Sequence, residues 1–528
     1  MAQDTPAPQV STRSTYWPHV LPVLVLAMVA WPVASSTYPP FLDYYSHLAR
    51  VYVTGNIEAY SDFYSFNPST PPNLALDVIV RAFLNFTSIE AAGWMFLLSV
   101  IAVQATGLWV LNRMLQGRQP VPVGPIVGCA LIYNTILTMG FLSYLFALGM
   151  MLWTVWLWLQ LRERSWWIAL TLATAATVLL YFAHIVAFGI YAIVIVGYEL
   201  QQLIQDRRKS ARDRVYLLVR SGVPFLVPVI LYLTGNQGDS DPLRASEYFL
   251  REKMLVIVDT LNSGSSPIRQ SVAGFAILFT LALTLGRPRF NATMALPIAL
   301  LTLLFLVAPT GFRIHEYGFV SGFDLDDRLP LAIALLVCAS VRIEFATRRR
   351  AIVMAVALVT FLAIRSFDLS RDFARFDAEV RQARQLFSKI EAGSVVAVAI
   401  DTNHPDYSWS ARGRANWHVA SLAALHAPVF VATTHARASQ HTMYLKGAPF
   451  TDLYAWQKEL PIELSSAKQL AETVAGYREL MQRSPEPGEQ VARTLYLLLL
   501  MPHTLTEAAR SENSAIGQTS WFLLLRIG

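Results

Sequence analysis

Charge is what this sequence has least of. Asp, Glu, Lys and Arg make up 15% of its 528 residues, against about a quarter in an average soluble chain. That scarcity excludes a purely soluble enzyme. It equally excludes a disordered or nucleic-acid-binding chain, both of which need charge. Cysteine is almost missing: Cys129 and Cys338 both lie in apolar runs, so neither a disulfide framework nor a thiolate metal site follows. No solenoid-type repeat is present. What the sequence has instead is apolar residues, 54% of the total, with a mean hydropathy of +0.41.

A helix needs about 20 apolar residues to cross a bilayer. About eleven spans are expected on that measure, at residues 16–34, 91–111, 121–138, 141–160, 166–182, 185–203, 215–234, 271–285, 293–308, 329–341 and 351–364. The net charge of +6 and pI near 9.2 come from basic residues at span ends. One set of connections is short and basic: Arg113/Arg118, Arg162/Arg164, Arg207–Arg214, Arg287/Arg289 and Arg342–Arg350. It holds about fifteen Lys and Arg in roughly forty residues, the density expected of cytoplasmic loops. The alternate set carries about eight in roughly 105 residues. The reading is a multi-pass inner (plasma) membrane protein in contact with lipid, with a cytoplasmic N-terminus and an extracytoplasmic C-terminal part. It has no nucleic-acid partner.

Residues 1–365 are thus expected to form the transmembrane domain, and 36–90 its first outer loop. That loop has helical apolar spacing over 42–52 and 74–86, consistent with two amphipathic helices at the membrane surface. Residues 366–528 alternate helix and strand signals. Strands are expected at 394–400, 428–433, 494–500 and 521–527, in an extracytoplasmic α/β domain.

Ionisable residues at the outer face of such a protein are functional candidates. Asp43 follows the first span, and His47 comes four residues later on the same helix face. The pair reads as an internal hydrogen bond of an interfacial helix, as a carboxylate base, or as half of a metal site. A partly desolvated carboxylate there can have a raised pKa suited to taking a proton. Asp77 interrupts an apolar face, where it can simply lie on the wet side. His184 lies between two spans, where a lone histidine is often structural. Asp324, Asp326 and Asp327 can bind a cation through oxygen or form a solvated loop. Arg328 opens a span at the outer face, where its guanidinium suits a phosphate, with snorkelling as the plain alternative. Six of the ten histidines fall in the C-terminal part: His404, His418, His426, His435, His441 and His503. Their spacings match no zinc pattern.

The stretch Pro39–Arg50, PPFLDYYSHLAR, is similar to a D-x-x-x-H-L-A-R pattern of bacterial GT-C glycosyltransferases. Gly140–Leu145 (GFLSYL), Tyr181–His184 (YFAH) and Asp327–Pro330 (DRLP) also resemble segments of those membrane enzymes. The sequence has no paired D-x-D after the first span and no W-W-D-Y-G run, which sets it apart from some subfamilies. The resemblance implies a GT-C-like bundle and an inverting transfer of sugar from a polyprenyl-phosphate donor to an extracytoplasmic glycan, lipid or protein. It makes Asp43 the catalytic base. Arg328 and Arg313 become the leading phosphate contacts, followed by His47 and His184, with Asp77, His315 and Glu316 as further candidates. No cofactor is required, a divalent metal being the open alternative. A transporter or flippase of a lipid-linked or small-molecule substrate is the other reading. It calls for repeats, broken helices and midplane polar residues, whereas here the candidate charges crowd one face.

Overall fold

The computed structural model describes residues 17–67, 72–162, 166–205, 210–234, 245–247, 250–262, 268–308, 311–314, 318–320, 325–407, 414–436, 441–482 and 493–528. Helices stand on all eleven apolar runs. Among the described residues, six are long and apolar enough to cross a membrane: Ile89–Gln116, Leu142–Leu161, Ile185–Gln205, Arg212–Thr234, Ile268–Leu285 and Arg348–Phe387. Four apolar helices are shorter, at Val20–Ala34, Val123–Met139, Trp167–Ala183 and Ala292–Val307. The helix over the 329–341 run, Leu325–Ser340, has Asp326 and Asp327 in its first turn and contains Pro330.

Two of the departures from simple spans have clear local causes. The 121–138 run breaks into Val123–Ala130 and Thr135–Met139. Asn134 sits at the break and caps the second helix, accepting from the Leu137 N–H at 3.0 Å and donating to the Leu131 carbonyl at 2.7 Å. A buried amide satisfied in this way competes with a continuous helix. The 351–364 run does not end in a loop. It continues as one helix, Arg348–Phe387, whose Asp377 carboxylate accepts from the backbone of Thr37 and Tyr38 at 2.9 and 2.7 Å. This helix therefore secures the chain just after the first apolar helix.

The C-terminal α/β region contains strands at all four expected places. They are Val395–Asp401, Phe430–Val431, Leu495–Leu500 and Phe522–Arg526. The sheet runs Ile462–Leu464, Val395–Asp401, Leu495–Leu500, Phe522–Arg526, Ser514–Gln518, and Phe430–Val431 also pairs with the second of these. Pairing is parallel around Val395–Asp401 and antiparallel beyond Leu495–Leu500. Both of those central strands are buried along their whole length, which explains why they read as unbroken apolar runs rather than alternating ones.

The first loop and this region share a sheet. Tyr64–Phe66 pairs antiparallel with Met443–Leu445. The Lys446 N–H donates to the Phe63 carbonyl at 3.0 Å, and the Tyr60 hydroxyl donates to the Ala424 carbonyl. Phe63, Tyr64, Phe430 and Phe450 pack ring against ring across the junction. The helix Tyr44–Gly55 is accordingly buried on most of its residues, including Tyr44, Tyr45, Leu48 and Val51.

Candidate active site

Asp43 immediately precedes the helix Tyr44–Gly55, and its backbone is held by the broken span. The Leu42 N–H donates to the Thr138 carbonyl at 2.8 Å, and the Asp43 N–H to the Met139 carbonyl at 3.3 Å. Gly140 turns the chain away with φ +88°, and a Cβ there would stand 2.7 Å from the Asp43 nitrogen. Only glycine accepts both the left-handed backbone and that approach. Gly140→Ala should therefore cost about 1–3 kcal/mol in backbone strain and displace Asp43. A lower detergent Tm together with lower activity would show it, and an unchanged Tm would contradict it.

The C-terminal region brings two histidines to the Asp43 carboxylate. His418 Nε2 and His435 Nε2 each lie 3.5 Å from Asp43 Oδ1. His418 Nδ1 donates to the Thr433 carbonyl at 2.8 Å. His435 Nδ1 lies 3.5 Å from Glu459 Oε2, and the Tyr454 hydroxyl donates to the other oxygen of Glu459. Glu459 is turned into place just after the helix Phe450–Gln457, where Lys458 and Glu459 take φ of 52° and 65°. Non-glycine residues take such angles only when their surroundings hold them there. The His435 N–H donates to Ser46 Oγ at 2.7 Å, which pins the histidine loop to the Asp43 helix. The rings of His47 and His441 lie 5.5 and 5.6 Å from that of His435. His47 Nδ1 is buried without a hydrogen-bond partner.

The electrostatics correct one expectation. Burial alone would raise the Asp43 pKa, but the His435 hydrogen bond and the charges of His435, His418 and His47 outweigh it. The carboxyl is pulled down to about 2, not raised as partial desolvation alone would have it, because the neighbours are imidazoles. Burial, helped by His435, pushes His418 down to about 4 despite Asp43. His435 is pushed down by burial, but Glu459 and Asp43 prevail and hold it up at about 9.

A second cluster begins at the same glycine. The Arg328 guanidinium lies over the rings of Phe141 and Tyr144, at 4.6 and 5.7 Å. The Tyr144 hydroxyl donates to the Arg328 carbonyl at 2.7 Å, and the Tyr144 ring meets that of His184 at 5.3 Å. The GFLSYL, YFAH and DRLP segments, far apart in sequence, thus converge.

No protein-family model and no curated protein matches this sequence. Solved structures do. The apo crystal structure of ArnT from Cupriavidus metallidurans superposes with a TM-score of 0.51 at 11% identity, covering 96% of this chain and 97% of that one. The structure of the same protein bound to undecaprenyl phosphate gives a TM-score of 0.49 at 11% identity, over 96% and 98%. ArnT is a GT-C glycosyltransferase. The fold of this chain is the GT-C fold.

Within that fold the sequence-derived candidates separate. Asp43 and His47 share one cluster, and Arg328 and His184 the other. Asp77 belongs to neither: it accepts from Arg50 Nε and Nη2 at 3.0 and 2.8 Å. It is neither on a wet side nor in the site, because a buried guanidinium has claimed both its oxygens. Asp326 lies 3.7 Å from the buried Lys253 ammonium, so a neighbouring cation is already supplied by the chain. Arg313 is on the backbone of the strand Gly311–Ile314, while His315, Glu316 and Asp324 lie outside the described residues. His418, His435 and Glu459 were not singled out by sequence. The only signal was the excess of histidine in the C-terminal part. Of the other histidines there, His404 meets His503 and His426 faces Arg384.

Proposed function

We propose that this protein is an inverting glycosyltransferase that moves a sugar from a polyprenyl-phosphate donor to an extracytoplasmic glycan, lipid or protein acceptor. The observation that supports it best is the placement of Asp43. It is held by the helical bundle on one side and by the C-terminal region on the other, within a GT-C fold. Arg328 lies beyond the glycine that abuts it. ArnT holds undecaprenyl phosphate, and a lipid-phosphate donor of that kind is the substrate class inferred here. The extracytoplasmic side is inferred from the loop charges.

In this reading the acceptor hydroxyl attacks the anomeric carbon. The bond from that carbon to the phosphate oxygen breaks, and the lipid phosphate leaves with the electron pair. The acceptor proton passes to the Asp43 carboxylate as the new C–O bond forms. Asp43 is held ionised, as a proton acceptor must be. The charge growing on the phosphate needs a cation, and the planar fork of Arg328 suits it.

Transfer from a polyprenyl-phosphate sugar by the purified protein tests the reading. Arg328→Ala should cost roughly a hundredfold to a thousandfold in turnover, the range for losing one transition-state donor. Arg328→Lys should restore only part of it. Full activity in the alanine variant would remove Arg328 from the mechanism.

A further inference from the structure

We propose that Asp43, His418 and His435 form a divalent-metal centre of the zinc class, with the Thr433 carbonyl and the Glu459 carboxylate as its outer supports. One donor atom from each of the three residues lies within 4.8 Å of the other two. The site stands on geometry; only its service to catalysis rests on the glycosyltransferase reading.

The first argument is distance. Both Asp43–histidine separations are 3.5 Å, at the long limit of an N–H···O contact, whose mode is about 2.9 Å. Tetrahedral zinc has Zn–N and Zn–O distances of about 2.0–2.2 Å, so two of its ligand atoms sit about 3.4 Å apart. The two separations therefore have the length of a tetrahedron's edge. The third edge, between the two imidazoles, is no longer than 4.8 Å.

The second argument is the direction of the lone pairs. A carbonyl only accepts, so the Thr433 bond at 2.8 Å places the His418 proton on Nδ1. Neutral His418 then turns the bare lone pair of Nε2 toward the Asp43 carboxylate. Two acceptors facing each other in a buried site repel unless positive charge lies between them. The side chain of His418 is 1% exposed, so water does not relieve the clash. His435 has Glu459 Oε2 3.5 Å from its Nδ1, and an ion in the site would take the place of the proton that otherwise lies between its Nε2 and Asp43. A carbonyl or carboxylate behind a histidine fixes the tautomer and ring plane of a metal ligand.

The donor set chooses the ion. Two imidazoles and one carboxylate suit Zn2+, whereas Mg2+ and Ca2+ prefer all-oxygen shells. Three protein ligands leave a fourth position open, the pattern of catalytic rather than structural zinc. Coordination through Asp43 Oδ1 alone leaves the second oxygen for the acceptor's proton, so the two roles of Asp43 are compatible.

The test uses the full chain in detergent, stripped with a chelator and then titrated with Zn2+ or Co2+. The expected result is one ion per chain, a visible absorption band of four-coordinate Co2+, and a Zn2+-dependent rise in Tm. His418→Ala with His435→Ala should abolish all three. Glu459→Gln keeps every ligand and should weaken Zn2+ binding 10–100-fold, so the test survives if the double variant misfolds. Binding by the wild type no tighter than by Glu459→Gln, or Mg2+ displacing Zn2+ on equal terms, would overturn the centre. Transfer activity is measured separately. Stoichiometric metal without transfer would sink the glycosyltransferase reading alone, and transfer by a chain that binds no metal would sink the centre alone.

Discussion

Asp43→Asn is expected to lower turnover by on the order of a hundredfold or more while leaving the protein folded. Asparagine has the same shape. The backbone at this position is held by the Thr138 and Met139 carbonyls, neither of which depends on the side-chain charge. What is lost is an ionised oxygen between two imidazoles. The amide cannot accept a proton, and it is a poor metal ligand. Comparing the variant with chelated wild type separates the two roles. If chelation leaves turnover high and Asp43→Asn does not, the carboxylate acts as the base itself. Turnover within a few-fold of wild type in the variant would displace Asp43 from the reaction.

The largest stability effect is expected one helix further on. Arg50 and Asp77 form a two-point pair, with side chains 3% and 11% exposed, that joins the helices Tyr44–Gly55 and Ala75–Phe83. Removing one partner strands a buried charge, which costs about 3–5 kcal/mol. Asp77→Ala should therefore lower the Tm sharply, and Asp77→Asn less, since the amide oxygen still accepts. Arg50→Met combined with Asp77→Leu should recover much of the loss, because the desolvation penalty disappears with both charges. A double variant no more stable than Asp77→Ala would mean that the pair does more than neutralise itself.

How much of this was legible in the sequence follows from the range of each interaction. The apolar runs and the four strands of the α/β region are local patterns, and helices and strands stand where those patterns lie. The helix break at Asn134 was not legible in the 121–138 run: one amide in an apolar run does not announce whether it is tolerated or acts as a cap. Asp43 and His47 are one helical turn apart, so their common cluster was visible. His418, His435 and Glu459 were not, since ligand spacing is diagnostic only when one hairpin or helix carries the set. Here each comes from a different turn, joined by the pairing of Tyr64–Phe66 with Met443–Leu445. The raised pKa expected of Asp43 failed for the same reason, because its neighbours come from some 375 residues away. Asp77 was misread because Arg50, its partner, sits on a different helix.

That strand pairing also has a consequence in time. A ribosome adding about 5–20 residues per second reaches His418 roughly 20–75 s after it has made Asp43. Through that interval the bundle can insert and pack while the carboxylate has no imidazole beside it. A nascent chain, or one cut short before His418, carries Asp43 without His418, His435 or Glu459. In the proposed reading, chemistry at this centre therefore waits until His435 has been made, and a shorter copy in the membrane would leave its substrate untouched.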